Sequence, residues 1–147
     1  MTQRLYDAVT VGESLPPLAI EITTRLVVSA AIASRDYQDV HHDKAAAQAA
    51  GSSDIFMNIL TTNGLVGRYI TDWSGALGQL KKVAIRLGVP NYPGDTLTLR
   101  GTVREKCAGE KTVAVEIVGE NSLGQHVVGS VLVALPESSC AGSLDRV

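Results

Sequence analysis

The sequence is poor in cysteine, aromatic residues and net charge, and it contains no long hydrophobic run. Its two cysteines, Cys107 and Cys140, show neither metal-ligand spacing nor pairing, so we expect reduced thiols and no metal site. A net charge of −2 argues against a nucleic-acid partner, because such surfaces are strongly basic. The apolar runs are shorter than the roughly 18 residues of a membrane span, and no signal peptide is visible. We therefore expect a cytoplasmic protein with no membrane partner.

The apolar content, by contrast, is sufficient for one buried core. The chain has 147 residues, and 45 % of them are hydrophobic. A chain of this length normally folds as one domain. We predict a single domain over residues 1–135. Residues 136–147 are polar and rich in serine and glycine, and we predict that they form a flexible tail.

Titratable side chains are concentrated in one stretch, residues 34–43. Its ten residues include three carboxylates, two of the chain's 3 histidines and an arginine. Burying so much charge is costly without partners, so this stretch is either a solvated turn or a functional site. It lies between an apolar segment at residues 26–33 and an alanine-rich one at residues 44–50. These flanks favour a polar corner held between two packed elements.

Helices are predicted in the first half of the chain. A threonine at position 23 or 24 can cap a helix that ends near residue 34, and Asp43 can cap a short helix over Lys44–Ala50. Apolar residues at positions 65, 66, 69, 70 and 73 form a wide helical face, which predicts a largely buried helix over Thr62–Trp73. The apolar run Ile55–Leu60 before it is predicted to be buried and extended.

Alternating apolar residues predict strands before and after these helices. The strands are predicted at Leu18–Thr23, Val83–Val89, Thr96–Glu105, Thr112–Gly119 and His126–Leu135. The result is an α+β fold in which a twisted antiparallel sheet has the long helix on one face. The edges of such a sheet need a partner, so we expect a dimer, and a continuous sheet is one way to build it.

Asp36 and His41 are the candidate catalytic pair. Their spacing of five residues does not place them on one helical face, but the two side chains can converge across a turn. A carboxylate and an imidazole directed at one water form a general acid–base pair. Gly64 is predicted near the start of the long helix, where free N–H groups can stabilise an oxyanion. The structural alternative for Gly64 is close packing of the helix.

These residues resemble the MaoC-like, R-specific enoyl-CoA hydratases, a family with the hot-dog fold. The resemblance covers roughly residues 15–135 and rests on Asp36, on Val40-His41, on Gly64 and on the turn at residues 89–96. Residues 34–43, 54–60 and 68–73 are more closely similar to the small catalytic subunits of actinobacterial hydratases that act on the steroid side chain. The hot-dog fold is an antiparallel sheet wrapped around a long central helix.

The resemblance implies syn addition of water to a trans-2-enoyl-CoA thioester. Asp36 and His41 would hold and activate the water, and the Gly64 N–H would polarise the thioester carbonyl. No metal or organic cofactor would be needed, because the thioester itself accepts the electrons. A bulky polycyclic acyl group needs more room than one domain offers, so a homodimer or a hetero-oligomer with a second hot-dog subunit is implied.

Two positions depart from the family pattern. The family's Asn-Pro pair is Gln38-Asp39 here, and the histidine that often precedes the oxyanion glycine is Asn63. We assign Gln38 and Asn63 as candidate substrate contacts. Arg86 and Lys81 are candidate contacts for the CoA phosphates, although cations on strand edges also serve to block aggregation.

Other readings remain open at this point. Asn58 is interpreted as a structural amide, and His126 as either a structural or an exposed residue. His42 is expected to face solvent or to support the site indirectly. A hot-dog thioesterase is the alternative enzyme, and release of free CoA thiol would identify it. A non-catalytic partner subunit of a hydratase is the alternative outside catalysis, although such a subunit would not need both Asp36 and His41.

Overall fold

The computed structural model describes residues 3–138, and within that range the chain has the predicted α+β architecture. Short 3-10 turns lie at Tyr6–Ala8 and Asp39–His41. The helices are α1 (Thr24–Ala33), α2 (Lys44–Ala49) and α3 (Ile59–Ser74). The strands are β1 (Leu18–Glu21), β2 (Gln79–Leu87), β3 (Thr96–Cys107), β4 (Thr112–Asn121) and β5 (Gly124–Ala134).

The five strands form one antiparallel sheet in the order β1-β3-β4-β5-β2. Strands β3, β4 and β5 are joined by consecutive hairpins, and Gly119 at their centre is opposite both Leu99 and Val127. A Cβ atom at Gly119 would lie 2.5 Å from the Val127 side chain and 2.7 Å from the Leu99 side chain. A glycine is therefore required there for the neighbouring apolar side chains to meet over the strand.

The apolar face of α3 packs against the inner face of the sheet. Val66, Tyr69 and Ile70 on this helix are buried, as are Leu97 and Ile117 on the strands that face it. Each fully buried aliphatic side chain of this size contributes roughly 1.5–3 kcal/mol. The wide apolar stripe in the sequence was therefore a correct indication that α3 lies at the centre of the fold.

Side-chain caps determine where the helices begin. The Thr23 hydroxyl accepts a hydrogen bond from the Leu26 N–H (3.0 Å), and α1 and α2 match the predictions closely. The predicted start of the long helix at residue 62 is wrong. The chain is irregular only as far as Asn58, whose side chain caps α3 so that the helix begins at Ile59.

Strands β1 and β2 are the two edges of the sheet. The outer side of β2 pairs with no other strand among residues 3–138, and its residues are mostly exposed or half-exposed. The prediction of a dimer is consistent with this edge and stays a prediction. In the described range, no helix combines the length and hydrophobicity needed to cross a membrane. Residues 139–147, most of the predicted tail, lie outside the described residues.

Candidate active site

The turn after α1 brings Asp36 and His41 together. Arg35 adopts a left-handed backbone conformation (φ +58°), which reverses the chain immediately after the helix. The Asp36 N–H donates to the Ala31 carbonyl (2.9 Å), and a 3-10 turn then returns the chain toward it. As a result, Asp36 Oδ2 and His41 Nε2 lie 3.3 Å apart. The two side chains converge across a turn, as the sequence predicted.

A main-chain carbonyl sets the orientation of His41. The Nδ1 atom of His41 lies 2.7 Å from the Phe56 carbonyl oxygen, which can only accept a hydrogen bond, so Nδ1 carries a proton. The Phe56 ring packs edge-on against the imidazole, with the ring centroids 5.1 Å apart. His41 is only 5 % exposed. In the neutral imidazole, Nε2 is therefore the unprotonated nitrogen, and it faces Asp36.

Asp36 is held as a carboxylate. Its Oδ2 atom accepts a hydrogen bond from Asn58 Nδ2 (2.9 Å), and its Oδ1 atom accepts a longer one from the Gln38 N–H (3.4 Å). The bond from Asn58 has the largest effect and lowers the pKa of Asp36 below 3.8; the Gln38 N–H and His41 act in the same direction, against desolvation. Asp36 is thus ionised at neutral pH and can accept a proton.

Asn58 connects this carboxylate to α3. Its Oδ1 atom accepts hydrogen bonds from the N–H (2.9 Å) and the hydroxyl (2.5 Å) of Thr61, and through these bonds Asn58 caps the helix. Its Nδ2 atom donates to Asp36 and to Ser34 Oγ (3.1 Å). The side chain is buried and every polar position on it is used. The sequence interpretation of Asn58 as a structural amide missed its contact with the candidate catalytic carboxylate.

Asp36 and His41 line a cleft of about 370 Å³. The start of α3 and the segment that follows β2 form its other walls. The lining residues are Asp36, Gln38, Val40, His41, Phe56, Met57, Asn58, Ile59, Leu87, Gly88, Val89, Pro90 and His126. Within residues 3–138, no group of three or more His, Cys, Asp or Glu side chains is placed to hold a metal ion.

The first turn of α3 presents main-chain donors beside this cleft. Asn58 satisfies the N–H of Thr61, whereas the N–H groups of Ile59 and Leu60 have no hydrogen-bond partner among the described residues. Ile59 itself lines the cleft. Free N–H groups at a helix start, together with the helix dipole, favour negative charge nearby.

Gly64 does not occupy the position predicted for it. It is the sixth residue of α3, so its N–H belongs to the internal hydrogen-bond ladder of the helix. It is exposed and does not line the cleft. The error follows from the predicted helix start, which was three residues too late. By geometry, Ile59 and Leu60 are better candidates for the oxyanion donors.

A second buried histidine, His126 on β5, lines the cleft from the sheet side. It is 1 % exposed; its Nδ1 lies 2.6 Å from the Val89 carbonyl oxygen and its Nε2 lies 2.9 Å from Thr62 Oγ1. Burial lowers the pKa of His126 below 6.5, so the neutral ring donates from Nδ1 and accepts from the Thr62 hydroxyl. His126 thus joins α3 to the cleft wall that follows β2. The sequence left His126 as either a structural or an exposed residue; the structure shows it buried, and its place at the cleft was not predicted.

The four predicted substrate contacts are dispersed. Gln38 lines the cleft, whereas Asn63 is exposed on α3 and does not. Arg86 is exposed and precedes the lining residue Leu87 on β2. Because side chains alternate along a strand, Arg86 is on the face of β2 opposite to Leu87. Lys81 lies six residues before Leu87, about 20 Å away along the strand, and donates to Gln79 (3.0 Å). The structure therefore separates Lys81 and Asn63 from the cleft.

Comparison with known proteins identifies the family of this chain. A family model described as "MaoC like domain" matches residues 8–123. The chain belongs to the MaoC-like family. Over 128 residues this MaoC-like chain is 46 % identical to the 3-oxo-4,17-pregnadiene-20-carboxyl-CoA hydratase beta subunit of Mycobacterium tuberculosis. The match spans 87 % of this chain and 98 % of that subunit.

Solved structures confirm the hot-dog fold of this MaoC-like chain. A chain of the ChsH1-ChsH2 complex from Mycobacterium tuberculosis superposes with a TM-score of 0.83 at 46 % identity, covering 86 % of this chain and 98 % of the other. The R-hydratase PhaJ1 from Pseudomonas aeruginosa superposes with a TM-score of 0.83 at 24 % identity, covering 91 % of this chain and 86 % of the other. The PhaJ1 likeness concerns the fold alone.

Proposed function

We propose that this MaoC-like chain is a catalytic subunit of an enoyl-CoA hydratase, with Asp36 and His41 as its acid–base pair. The observation that carries the proposal is the 3.3 Å approach of Asp36 Oδ2 to His41 Nε2 in an open cleft beside the start of α3. A carboxylate held ionised and an imidazole held in one tautomer are suited to moving protons. The hydratase name of the 46 % identical relative supports the same reaction class.

The pair is suited to binding one water. When Asp36 is ionised and the His41 ring carries its one proton on Nδ1, the two facing atoms are both hydrogen-bond acceptors. Two acceptors directed at one space are satisfied by a molecule with two O–H donors, and water is the smallest such molecule. A water that donates to both atoms keeps its oxygen lone pairs free to attack a substrate.

The proposed reaction adds this water across the double bond. The water oxygen bonds to Cβ while the Cα=Cβ electrons move to the thioester oxygen, which forms an enolate. The proton lost from the water passes to the Asp36–His41 pair, and the pair delivers a proton to Cα as the enolate collapses. No metal or organic cofactor is required, because the thioester accepts and returns the electrons. Syn addition and R specificity are carried over from the family resemblance.

Main-chain N–H groups would stabilise the enolate oxygen. The donors of Ile59 and Leu60 take over the role first assigned to Gly64, because Ile59 lines the cleft, Leu60 follows it in the first turn of α3, and neither N–H has a partner among residues 3–138. A donor of this kind contributes roughly 10²–10³ to the rate of reactions with an oxyanion. Gln38 is the side-chain substrate contact that remains in the cleft.

We propose a steroid side-chain enoyl-CoA as the substrate. The support is the 46 % identity to a subunit named for a pregnadiene-carboxyl-CoA, with 98 % of that subunit covered. Arg86 is the cation nearest to the cleft wall among the two proposed phosphate contacts. The reaction uses no nucleic acid or membrane partner, and a cytoplasmic location stays a prediction.

A second hot-dog subunit would complete the site. One support is the outer side of β2, which pairs with no strand in the described part of the chain and ends at the cleft wall. The other is the similarity to a chain solved within a ChsH1-ChsH2 complex. A strand added to β2 would remove the exposed edge and place a partner surface at the cleft. A homodimer of this chain would use the same edge, and size-exclusion chromatography with and without the partner chain separates the two arrangements.

The proposed reaction is tested by following the enoyl thioester absorbance with a short and a steroid enoyl-CoA. We expect wild type, with its partner present, to hydrate the steroid thioester preferentially. Asp36→Asn and His41→Ala should each reduce kcat/KM by about 10² or more. Asp39→Asn and His42→Ala are matched controls, because these neighbours are on the same turn but exposed to solvent, and both should retain activity.

Three results would contradict the proposal. Wild-type activity in both Asp36→Asn and His41→Ala would show that the pair is structural. Release of free CoA thiol without loss of the double bond would identify a thioesterase. An active complex that keeps full activity with the Asp36→Asn chain would assign this chain to a non-catalytic role.

A further inference from the structure

We propose that Asn58 is a positioning residue of this active site, whose side-chain amide holds the Asp36 carboxylate toward His41 and fixes it relative to the start of α3. The proposal rests on the proposed hydratase function and adds a residue to it. It differs from the reading of Asn58 as a structural amide or a helix cap alone. The proposal is based on the hydrogen bonds of the amide oxygen and of the amide nitrogen.

The orientation of the Asn58 amide is forced. The N–H of Thr61 is only a donor, so the atom that faces it at 2.9 Å must be the amide oxygen. The amide nitrogen therefore faces Ser34 Oγ and Asp36 Oδ2. A flipped amide would lose the bonds to the Thr61 N–H and to the Asp36 carboxylate, because the first group can only donate and the second can only accept. The donor directed at Asp36 is thus a fixed feature of the fold.

This donor acts on the oxygen that performs the proposed chemistry. Asn58 Nδ2 and His41 Nε2 approach the same atom, Asp36 Oδ2, at 2.9 Å and 3.3 Å. A hydrogen bond to an ionised carboxylate is among the stronger ones in proteins. It fixes the rotation of the carboxylate and favours its charged form, and it is the largest influence that lowers the pKa of Asp36.

Few other groups near Asp36 could orient its carboxylate and favour its charged form. The turn contributes the Gln38 N–H to Oδ1. Ser34, the residue after α1, contributes a neutral hydroxyl that bonds to the Asn58 amide and to the last turn of that helix. From α3, only neutral groups face the carboxylate. His41 is the titratable side chain that faces Asp36 among the described residues.

A helix cap alone does not require asparagine at this position. Aspartate and serine cap helices about as well as asparagine does. Neither can replace the donor to Asp36, because an aspartate has no donor and a serine is too short to reach from the same cap position. The two functions of Asn58 can therefore be separated by substitution: Asn58→Ser and Asn58→Asp keep the cap and remove the donor.

The direct test follows the carboxyl carbon of Asp36 by carbon-13 NMR in the full-length chain, with Asp36→Asn assigning the signal. We expect the pKa of Asp36 to rise in Asn58→Ser and to rise further in Asn58→Asp, where a second carboxylate faces it. Thr61→Val is the matched control, because it removes a bond on the helix side of the amide and leaves Nδ2 in place. In Thr61→Val the titration should match that of wild type.

The activity test uses the same variants in the hydratase assay. The loss of a hydrogen bond to a charged group predicts a fall in kcat/KM of about 10- to 100-fold in Asn58→Ser. The fall should lie in kcat rather than KM, and the acidic limb of the pH profile should move upward with the Asp36 titration. A purely structural role would lower the melting temperature without moving that limb.

An unchanged Asp36 titration in folded Asn58→Ser would overturn the proposal. This variant carries the test if Asn58→Asp does not fold, because serine is a strong cap residue and adds no charge. The NMR titration needs no catalytic turnover. If wild type shows no hydratase activity, the proposed function fails, while the titration still decides whether Asn58 controls Asp36.

Discussion

His41 and His126 are two buried histidines that line one cleft. Their Nδ1 atoms have the same kind of partner, whereas their Nε2 atoms have different ones. In both, Nδ1 donates to a main-chain carbonyl, that of Phe56 for His41 (2.7 Å) and that of Val89 for His126 (2.6 Å). The Nε2 atom of His41 faces the Asp36 carboxylate, whereas that of His126 faces the Thr62 hydroxyl.

The partner of Nε2 therefore distinguishes a candidate catalytic histidine from a structural one. A carboxylate stabilises the imidazolium that forms when His41 takes up a proton. A hydroxyl can satisfy the neutral ring but cannot compensate its charge, and burial further disfavours the protonated form of His126. Burial and tautomer alone would not separate the two residues. The following predictions test this difference.

The largest expected effect on stability is that of His126→Ala. It removes the donor to the Val89 carbonyl, leaves the Thr62 hydroxyl with only a long contact to the Asn58 carbonyl (3.5 Å), and opens a cavity. These losses predict a decrease of about 3 kcal/mol in the free energy of unfolding. His41→Ala should cost only about 1 kcal/mol, because water from the cleft can reach the Phe56 carbonyl. Urea denaturation of the full chain measures both. Equal losses would contradict the assignment of separate roles.

The next largest effect is that of Thr62→Val. It preserves the shape of the side chain but removes the hydroxyl that donates to His126 Nε2, so a buried acceptor is left unsatisfied at a cost of about 1–3 kcal/mol. Thr62→Ser is the control, because it keeps the hydroxyl. If the valine and serine variants lose the same stability, the hydrogen bond to His126 contributes nothing measurable.

A pH dependence of stability should follow from His126. Its pKa in the folded protein is lowered from 6.5, so the unfolded chain binds a proton in a range where the native ring remains neutral. The stabilisation is fully present above pH 6.5 and is lost as the pH falls toward the folded pKa, with a slope of at most about 1.4 kcal/mol per pH unit. The measurement compares the unfolding free energies of wild type and His126→Gln from pH 8 to pH 5, about the window in which histidine titrates. The difference between the two proteins should be larger at high pH and smaller at low pH.

The smallest effect is expected for the third histidine. His42 lies next to His41 in the sequence, but its side chain is 37 % exposed and its contact with the exposed Asp39 is 3.7 Å long. His42→Ala should change the free energy of unfolding by less than about 0.5 kcal/mol. A larger loss would show that the turn depends on the exposed pair as well as on the buried one.

Features set by neighbouring residues could be predicted from the sequence. The Asp43 cap, a threonine cap at position 23 or 24 and the convergence of Asp36 with His41 each depend on a few adjacent positions. The structure shows the caps at Asp43 and Thr23 and the approach of Asp36 to His41. The start of α3 could not be placed, because the apolar run at residues 55–60 fits a buried strand as well as a helix. The cap residue Asn58 was the available signal for the true start.

Contacts between distant parts of the chain were beyond the local pattern. His126 has no charged neighbour in the sequence, and its partner Thr62 is 64 residues away. Likewise, the direction of β2 decides that Arg86 lies near the cleft wall and Lys81 lies at the far end of the strand. Only the pairing of β2 with β5 determines this separation.

The use of main-chain carbonyls to orient His41 and His126 affects how sensitive the geometry of this site is to mutation. Every residue type has a carbonyl group, so no codon change at position 56 or 89 deletes the acceptor that sets either ring. Both orientations are therefore robust to point mutation unless the backbone itself moves. The Asp36 carboxylate has no such protection, because its orienting donor is the side chain of Asn58. Every single-nucleotide change that replaces this residue removes the amide. Genetic drift would thus be expected to impair the carboxylate before it impairs either imidazole.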